Sequence, residues 1–170
     1  VKVFISLVDF YNKDIFKIKR IEVNKSNLYL DQNSLINFIN NLKKNIVSNF
    51  IIKKSTLFFR EKSGEIVLIS TIKNFDYKID FLNNKKILKI KGNIFDSDYE
   101  FRYIIDYNYP NIQNTTLELR NPNIYFENNL VSKLNSNQNS KKGKLNSKFL
   151  SKTNDFSYEI IDNSITFLDK

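Results

Sequence analysis

Alternation of apolar and polar residues with a period of two is the dominant pattern of this chain. It is clearest over residues 99–107, where every odd position is aromatic or aliphatic and every even position except Ile104 is charged. A β-strand projects successive side chains to opposite faces, so this segment has one apolar face and one face that suits water. The same alternation recurs along the chain and predicts a sheet with a long continuous apolar face.

One segment changes from a period of two to helical spacing. Its apolar residues follow i, i+3, i+4, i+7 and i+11: Leu35, Phe38, Ile39, Leu42 and Ile46. This spacing predicts one amphipathic helix over about 33–48, packed on the sheet by its apolar stripe. Three residues are candidates for its N-cap: Asp31, Asn33 and Ser34.

Turn and strand signals divide the rest of the chain. Residues 3–8 are almost wholly apolar and predict a buried strand, and a change of phase predicts a bulge near Lys19-Arg20. Turns are predicted at Lys62-Ser63-Gly64 and Asn83-Asn84, and a bend at Gly92-Asn93.

The last forty residues give two further predictions. Residues 132–144 are rich in Ser, Asn, Gln and Lys and poor in apolar residues, which predicts a flexible loop or linker. After it, two alternating runs flank Asp162-Asn163, which predicts a closing hairpin.

Together these signals indicate a mainly β protein with one helix and about ten strands. We expect a strongly twisted and curled antiparallel sheet with an apolar inner face, in a single β-rich segment over 1–170. A helix of about 16 residues is ~24 Å long and ~10 Å wide, whereas ten strands at ~4.8 Å spacing span about 48 Å. One helix cannot cover that sheet, which must roll on itself or leave an apolar groove for a partner or lipid chains.

Composition excludes several kinds of catalytic site. The 170 residues contain no Cys and no His, so a Ser/His/Asp triad, a Cys nucleophile and thiolate or imidazole metal ligands are excluded within the chain. Three carboxylates at i, i+2 and i+4 could approach a hard cation: Asp96, Asp98 and Glu100. The solvated face of a strand is the better interpretation of them. We predict no enzymatic activity, no metal and no cofactor.

The net charge of +9 does not by itself indicate a nucleic-acid surface. Arginine makes most specific base contacts and bidentate phosphate contacts, yet only four arginines are present: Arg20, Arg60, Arg102 and Arg120. Codons rich in A and T favour Lys, Asn, Ile, Phe and Tyr, and such a bias alone explains the lysine excess. We predict no nucleic-acid partner, although lysine clusters such as Lys85-Lys86 could meet anionic headgroups.

Residues 51–95 are IIKKSTLFFREKSGEIVLISTIKNFDYKIDFLNNKKILKIKGNIF. They contain a strand element at 55–60, an Ile-x-Asn-hydrophobic element at 72–75 and a Lys-Gly-x-hydrophobic element at 91–95. With these elements the segment resembles the AsmA-like family, and the predicted closing hairpin is similar to hairpins that repeat in that family. The chain differs from the family in two ways. The 132–144 stretch does not fit the family pattern, and the N-terminal membrane helix is missing. A fragment of a longer chain would explain the missing helix.

The resemblance implies a periplasmic protein tethered to the inner membrane through a segment outside this chain. It also implies a long curved sheet with an apolar inner surface, a role in outer-membrane assembly or phospholipid movement, and no catalytic residues. We therefore expect phospholipid or another acyl lipid as partner, with envelope proteins as further partners.

Eight residues on the alternating strands are the predicted acyl-binding set: Tyr77, Ile79, Phe81, Leu88, Ile90, Phe101, Tyr103 and Ile105. Two alternatives stay open. One is a structural or interaction module in which the sheet closes around a dry core. The other is a nucleic-acid binder that depends on the lysine excess.

Overall fold

The structure is a computed structural model that describes residues 1–13, 18–43, 47–108, 111–134, 140–151 and 156–168. Its two helices are α1 (Leu7–Lys13) and α2 (Gln32–Lys43). Its eleven strands are β1 (Lys2–Ile5), β2 (Ile18–Asn24), β3 (Asn27–Leu30), β4 (Asn49–Arg60), β5 (Ile66–Asp80), β6 (Lys85–Ile94), β7 (Ser97–Asp106), β8 (Asn111–Leu119), β9 (Ile124–Leu134), β10 (Ser140–Ser151) and β11 (Phe156–Leu168). The prediction of a mainly β fold is confirmed.

The chain divides into two compact units. Unit 1 comprises Val1–Ile79 and Ile90–Asp96, and unit 2 comprises Asp80–Lys89 and Ser97–Lys170. In unit 1 the strands follow the hydrogen-bonded order β1-β2-β4-β5, and β3 also pairs with β4. In unit 2 they follow the order β7-β8-β9-β10-β11. β6 contributes residues to both units.

The prediction of a purely antiparallel sheet is wrong for unit 1, where the sheet is mixed. β2 and β3 both pair with β4 in parallel, whereas β4 and β5 pair antiparallel. Parallel neighbours need a crossover connection, and α2 supplies it between β3 and β4. In unit 2 the four pairs from β7 to β11 are antiparallel, as expected for strands joined directly in sequence.

The buried core of unit 1 lies between α2 and the sheet. Phe38 of α2 has its ring centroid 5.5 Å from that of Phe50 and 5.9 Å from that of Phe75. Phe50 and Phe75 meet edge to face at 5.9 Å. Aromatic pairs at these distances pack favourably beyond their area burial. Phe38 of the predicted stripe therefore packs on the sheet and Leu42 is half-buried, whereas Leu35 and Ile39 remain exposed, at 36% and 42%.

Helix α2 begins at a capping residue and is shorter than predicted. The Asp31 carboxylate accepts a hydrogen bond from Ser34 N–H at 2.7 Å, and the Asp31 carbonyl accepts one from Leu35 N–H at 2.9 Å. Asp31 is therefore the N-cap. The described helix runs to Lys43, and Val47 and Ser48 are not helical; residues 44–46 lie outside the described part of the chain.

The predicted buried strand over residues 3–8 is wrong. The strand ends at Ile5, α1 begins at Leu7, and Val3 is 55% exposed. Ser6 is buried between them, and its Oγ accepts a hydrogen bond from Asp9 N–H at 3.3 Å. This is an N-cap interaction. A helix therefore begins directly after Ser6, although the residues on both sides of it are apolar.

Three of the four predicted irregularities are confirmed. Phe4 pairs with Arg20 and Ile5 with Ile18, so β2 bulges at Lys19. Gly64 and Asn84 both have positive φ, at 89° and 51°. 

The bend predicted at Gly92-Asn93 is wrong because β6 continues through both residues to Ile94. The turn follows at Phe95 and Asp96, whose φ angles are 49° and 58°. A two-residue hairpin turn of type I′ needs positive φ at both positions. Phenylalanine rarely adopts positive φ. Residue preferences therefore favour a bend at Gly92-Asn93 over the turn that forms at Phe95-Asp96.

The two predictions for the last forty residues also change. Residues 132–134 belong to β9 and residues 140–144 to β10, so these eight residues are strand rather than loop; residues 135–139 lie outside the described part. Asp162-Asn163 is not a hairpin turn, because β11 runs continuously from Phe156 to Leu168 beside β10. The register shifts between the pairs Leu145–Asn163 and Ser147–Ile160. This bulge lies between the two alternating runs, at the place where the turn was predicted.

Candidate functional site

One face of unit 2 carries two rows of apolar side chains, one across three strands and one across four. Residues directly opposite each other on neighbouring strands share a face of the sheet. One row is Tyr99, Leu119 and Ile124, and the next is Phe101, Leu117, Phe126 and Phe149. We call the face that holds these rows the aromatic face.

The opposite side, which we call the charged face, follows from the same register. Its rows are Glu100, Glu118 and Tyr125, then Arg102, Thr116, Glu127 and Lys148. Arg102 lies 3.8 Å from the Glu100 carboxylate. Its cations thus lie among carboxylates, an arrangement that does not favour phosphate binding.

The aromatic face is not sealed from solvent. All seven side chains of its two apolar rows are half-buried. Ser97 alone is fully buried among the residues of unit 2 whose burial the structure describes, and no helix occurs in the described part of this unit. Among the residues whose burial the structure describes, the fully buried hydrophobic ones all belong to unit 1: Val23, Ile52, Ile72, Phe75 and Tyr77.

A row of uncharged polar residues borders the apolar rows on the aromatic face. Tyr103, Thr115 and Asn128 lie opposite one another on β7, β8 and β9. The Tyr103 hydroxyl donates a hydrogen bond to Gln113 Oε1 at 3.1 Å. Burial raises the pKa of Tyr103, with a smaller contribution from Tyr107, so the phenol is neutral at pH 7. Gln113 itself lies in the next row, opposite Ile105 and Leu130. We call Tyr103, Thr115 and Asn128, together with Gln113, the polar row.

A hydrogen-bond network fixes the middle of the charged face. Asn129 Nδ2 and the Tyr125 hydroxyl each donate to the Glu127 carboxylate at 3.0 Å, and Asn114 donates to Asn129. The hydrogen bond from Asn129, followed by that from Tyr125, lowers the pKa of Glu127 below its ordinary value of 4.5. Asn114 and Asn129 pair on β8 and β9, so the network links neighbouring strands.

This network predicts an acid-sensitive contribution to stability. Because the folded pKa of Glu127 is lowered, its contribution is present above the ordinary pKa of 4.5 and is lost as the pH falls through the lowered value. In Glu127→Gln, melting temperatures measured between pH 6 and pH 2.5 should decline less than in the parent chain. Equal declines would show that Glu127 contributes nothing. Glu118→Gln, on the same face, is the matched control.

Four of the predicted acyl-binding residues share the aromatic face of unit 2. Phe101, Tyr103 and Ile105 alternate along β7 and all pair with β8. Lys85 forms an ion pair with Asp106 at 3.0 Å, and Lys86 lies 5.5 Å from the centroid of the Tyr107 ring. Lys86 therefore lies on the same face of the sheet as Tyr107. Alternation along β6 then places Leu88 on the aromatic face.

The other four predicted residues lie elsewhere. Ile79 and Ile90 belong to unit 1 and are half-buried, while Phe81 lies in the turn after β5 and is 71% exposed. Tyr77 is 5% exposed, and its hydroxyl donates to the Leu42 carbonyl at 2.8 Å. The prediction of an acyl-binding role is thus not supported for Tyr77, because this residue holds α2 against the sheet.

Tyr77→Phe separates these two roles. Loss of the hydrogen bond to the Leu42 carbonyl should lower the free energy of unfolding by about 1 kcal/mol, while lipid uptake stays at the parental level. Urea unfolding measures the first quantity and native mass spectrometry the second. Reduced lipid uptake at unchanged stability would return Tyr77 to the binding set.

Six of the seven residues in the apolar rows are absent from the predicted acyl-binding set: Tyr99, Leu117, Leu119, Ile124, Phe126 and Phe149. Two pairs of them alternate around one residue of the charged face, Leu117 and Leu119 around Glu118 in β8, and Ile124 and Phe126 around Tyr125 in β9. That short alternation is the available signal. It indicates a two-sided strand, but only the strand register shows that both pairs lie beside Phe101 and Tyr99.

Unit 1 contains an open cleft whose lining does not indicate a particular ligand. The cleft has a volume of ≈ 410 Å³ and lies beside the start of α2. Its charged lining residues are Asp31, Arg60, Glu61 and Lys62, so two carboxylates offset two cations. Arg60 stacks over Tyr29 with its guanidinium carbon 4.5 Å from the ring centroid.

The described residues contain neither an acidic cluster that could bind a metal nor a helix that could span a membrane. No three acidic side chains in the described part come close enough to hold a metal ion, and this includes Asp96, Asp98 and Glu100. No helix within the described ranges is long and apolar enough to cross a membrane. Comparison of the chain with protein-family models, curated proteins and solved structures gives no match.

Proposed function

We propose that this chain is a non-enzymatic, AsmA-like lipid-handling segment that holds acyl chains against the aromatic face of unit 2. The observation that carries the proposal is the half-exposed state of that face. Its two apolar rows include no fully buried side chain. A sheet that presents one apolar side to water gains stability when an apolar ligand covers it.

The strength of such binding comes from area rather than from specific contacts. Removing apolar surface from water contributes about 25 cal/mol per Å². The longer apolar row, which contains Phe101, crosses four strands, and at ~4.8 Å spacing its width is about 14 Å. Acyl chains are flexible and apolar along their length, so they can follow such a surface without a shaped pocket. The strong curl expected from the sequence would make the aromatic face the inner wall of a groove.

Charge at the margin of the aromatic face favours a lipid with an anionic headgroup. Lys86 lies over Tyr107 beside the strand that carries Phe101 and Tyr103. A cation there would attract a phosphate while the tails lie on the apolar rows. The charged face offers a poorer phosphate site, because Arg102 lies beside Glu100. Phospholipid is therefore the proposed ligand rather than nucleic acid.

The resemblance to the AsmA-like family extends the proposal to location and partners. It supports a periplasmic protein that is tethered to the inner membrane by a segment outside this chain. Envelope proteins would then be its partners in outer-membrane assembly or lipid movement. The aromatic face is consistent with that role because a shuttle or conduit for lipids needs apolar surface and no catalytic group.

The experiment is native mass spectrometry of the purified chain, followed by solvent extraction and identification of lipids. The proposal predicts bound phospholipid in defined stoichiometry, and renewed uptake when a delipidated sample receives phosphatidylglycerol. A lipid-free mass without uptake would overturn the proposal. That result would favour a structural module whose apolar face closes on itself.

A further inference from the structure

We infer that the polar row selects lipids whose acyl chains are attached through ester or amide carbonyls. This inference rests on the proposed function and assigns the substrate class of the same face. It starts from the observation that the aromatic face is not apolar throughout. Tyr103, Thr115 and Asn128 cross three strands as one row of hydroxyl and amide groups.

The position of the polar row suits the junction between tail and headgroup. Along β7 the row at Tyr103 is followed by the rows at Phe101 and Tyr99. Four residues at ~3.3 Å each make about 13 Å of apolar surface next to the polar row. A lipid laid along the strands would place its tails over those two rows. Its acyl linkages would then lie at the polar row.

The chemistry of the row matches a neutral acceptor. An ester carbonyl accepts hydrogen bonds and donates none, so its partner must be a donor. Gln113 uses its Oε1 to accept from the Tyr103 hydroxyl, and its amide nitrogen still carries two N–H donors. Thr115 adds a hydroxyl donor. Asn128 contributes a further uncharged polar side chain to the row. None of the four residues is charged, so the row fits a carbonyl better than a phosphate.

Discrimination follows from the cost of covering donors without replacing their hydrogen bonds to water. A lipid with ester carbonyls at the row would satisfy these donors. An ether-linked lipid of equal chain length would desolvate the same donors and offer weaker acceptors. The difference per lost hydrogen bond corresponds to about a three- to tenfold change in affinity. The polar row therefore acts as a specificity determinant and the apolar rows as the source of affinity.

The experiment compares diacyl (ester) and dialkyl (ether) phosphatidylglycerol of equal chain length by native mass spectrometry. The parent chain should prefer the ester lipid about three- to tenfold. Gln113→Leu combined with Thr115→Val should lose much of this preference, because the amide and hydroxyl donors are gone. Its affinity for the ether lipid should be no lower than that of the parent, since fewer donors are desolvated without a partner. Thr116→Val is the matched control because Thr116 is the neighbouring threonine on the charged face, opposite Arg102, and it should keep the parental preference.

The outcomes separate this inference from the proposed function. Binding of neither lipid by the parent chain would overturn both. Equal binding of the two lipids by the parent, or an unchanged preference in the double variant, would overturn the selectivity alone. Thr115→Val by itself is the milder substitution if the double variant does not fold, and its expected result is a smaller loss of preference with an affinity for the ether lipid no lower than that of the parent.

Discussion

Replacing Phe75 with alanine is expected to lower the free energy of unfolding of unit 1 by about 3–5 kcal/mol. Phe75 is 6% exposed, and its ring packs against both Phe38 of α2 and Phe50 of β4. Its loss therefore removes the ring that joins helix and sheet. Domains are stable by only about 5–15 kcal/mol, so this single change should leave α2 poorly held or the unit unfolded.

Urea unfolding followed by circular dichroism measures this effect. Phe81→Ala is the matched control, since Phe81 is 71% exposed and its loss should change stability by no more than about 0.5 kcal/mol. Phe75→Leu should fall between the two. Equal stabilities for Phe75→Ala and Phe81→Ala would contradict the description of this core.

Replacing Phe101 with asparagine is expected to reduce phospholipid binding at least about tenfold. Phe101 lies in the row with Leu117 and Phe126, at the centre of the aromatic face. Burial of a large apolar side chain by ligand contributes about 1.5–3 kcal/mol, which corresponds to roughly ten- to a hundredfold in affinity. The introduced amide also adds a polar group that acyl chains would leave without a partner.

Arg102→Asn is the matched control on the same strand. It introduces the same residue one position along, on the charged face, and should leave lipid uptake unchanged. Native mass spectrometry reports the bound lipid, and circular dichroism confirms that both variants keep their strands. Equal loss in the two variants would mean that unfolding rather than the aromatic face explains the effect, and equal retention would exclude Phe101 from the binding surface.

Local patterns in the sequence predict those parts of the fold that depend on local physics. The alternation over 99–107 predicts β7, and the i, i+3, i+4 spacing predicts α2, because each pattern is set by the geometry of one element. Gly64 and Asn84 mark turns because both tolerate positive φ. Each of these predictions needs only neighbouring residues.

Features that depend on tertiary pairing could not be predicted in the same way. The parallel pairing of β2 and β3 with β4 depends on how α2 returns the chain. The polar residues at 140–144 form strand because β10 pairs with β9 and β11 on its two sides. Backbone hydrogen bonds on both edges can hold a strand of low apolar content, and composition alone does not reveal them.

The same limit explains the partial prediction of the candidate site. Phe101, Tyr103 and Ile105 alternate on one strand and therefore share a face of β7, which the pattern predicts. Tyr77 alternates equally well, yet it packs beneath α2 and bonds to the Leu42 carbonyl. Alternation identifies an apolar face, but it does not distinguish a face covered by a helix from one left half-exposed.

Photo-crosslinking with a phospholipid that carries a photoreactive group in its acyl chain tests the central claim most directly. The delipidated chain would be loaded, irradiated, digested and sequenced by mass spectrometry. The account predicts crosslinks on the aromatic face of unit 2, at Phe101, Leu117 and Phe126, with none at Arg102, Thr116 or Glu127 on the charged face. Crosslinks divided evenly between the two faces, or confined to unit 1, would contradict it.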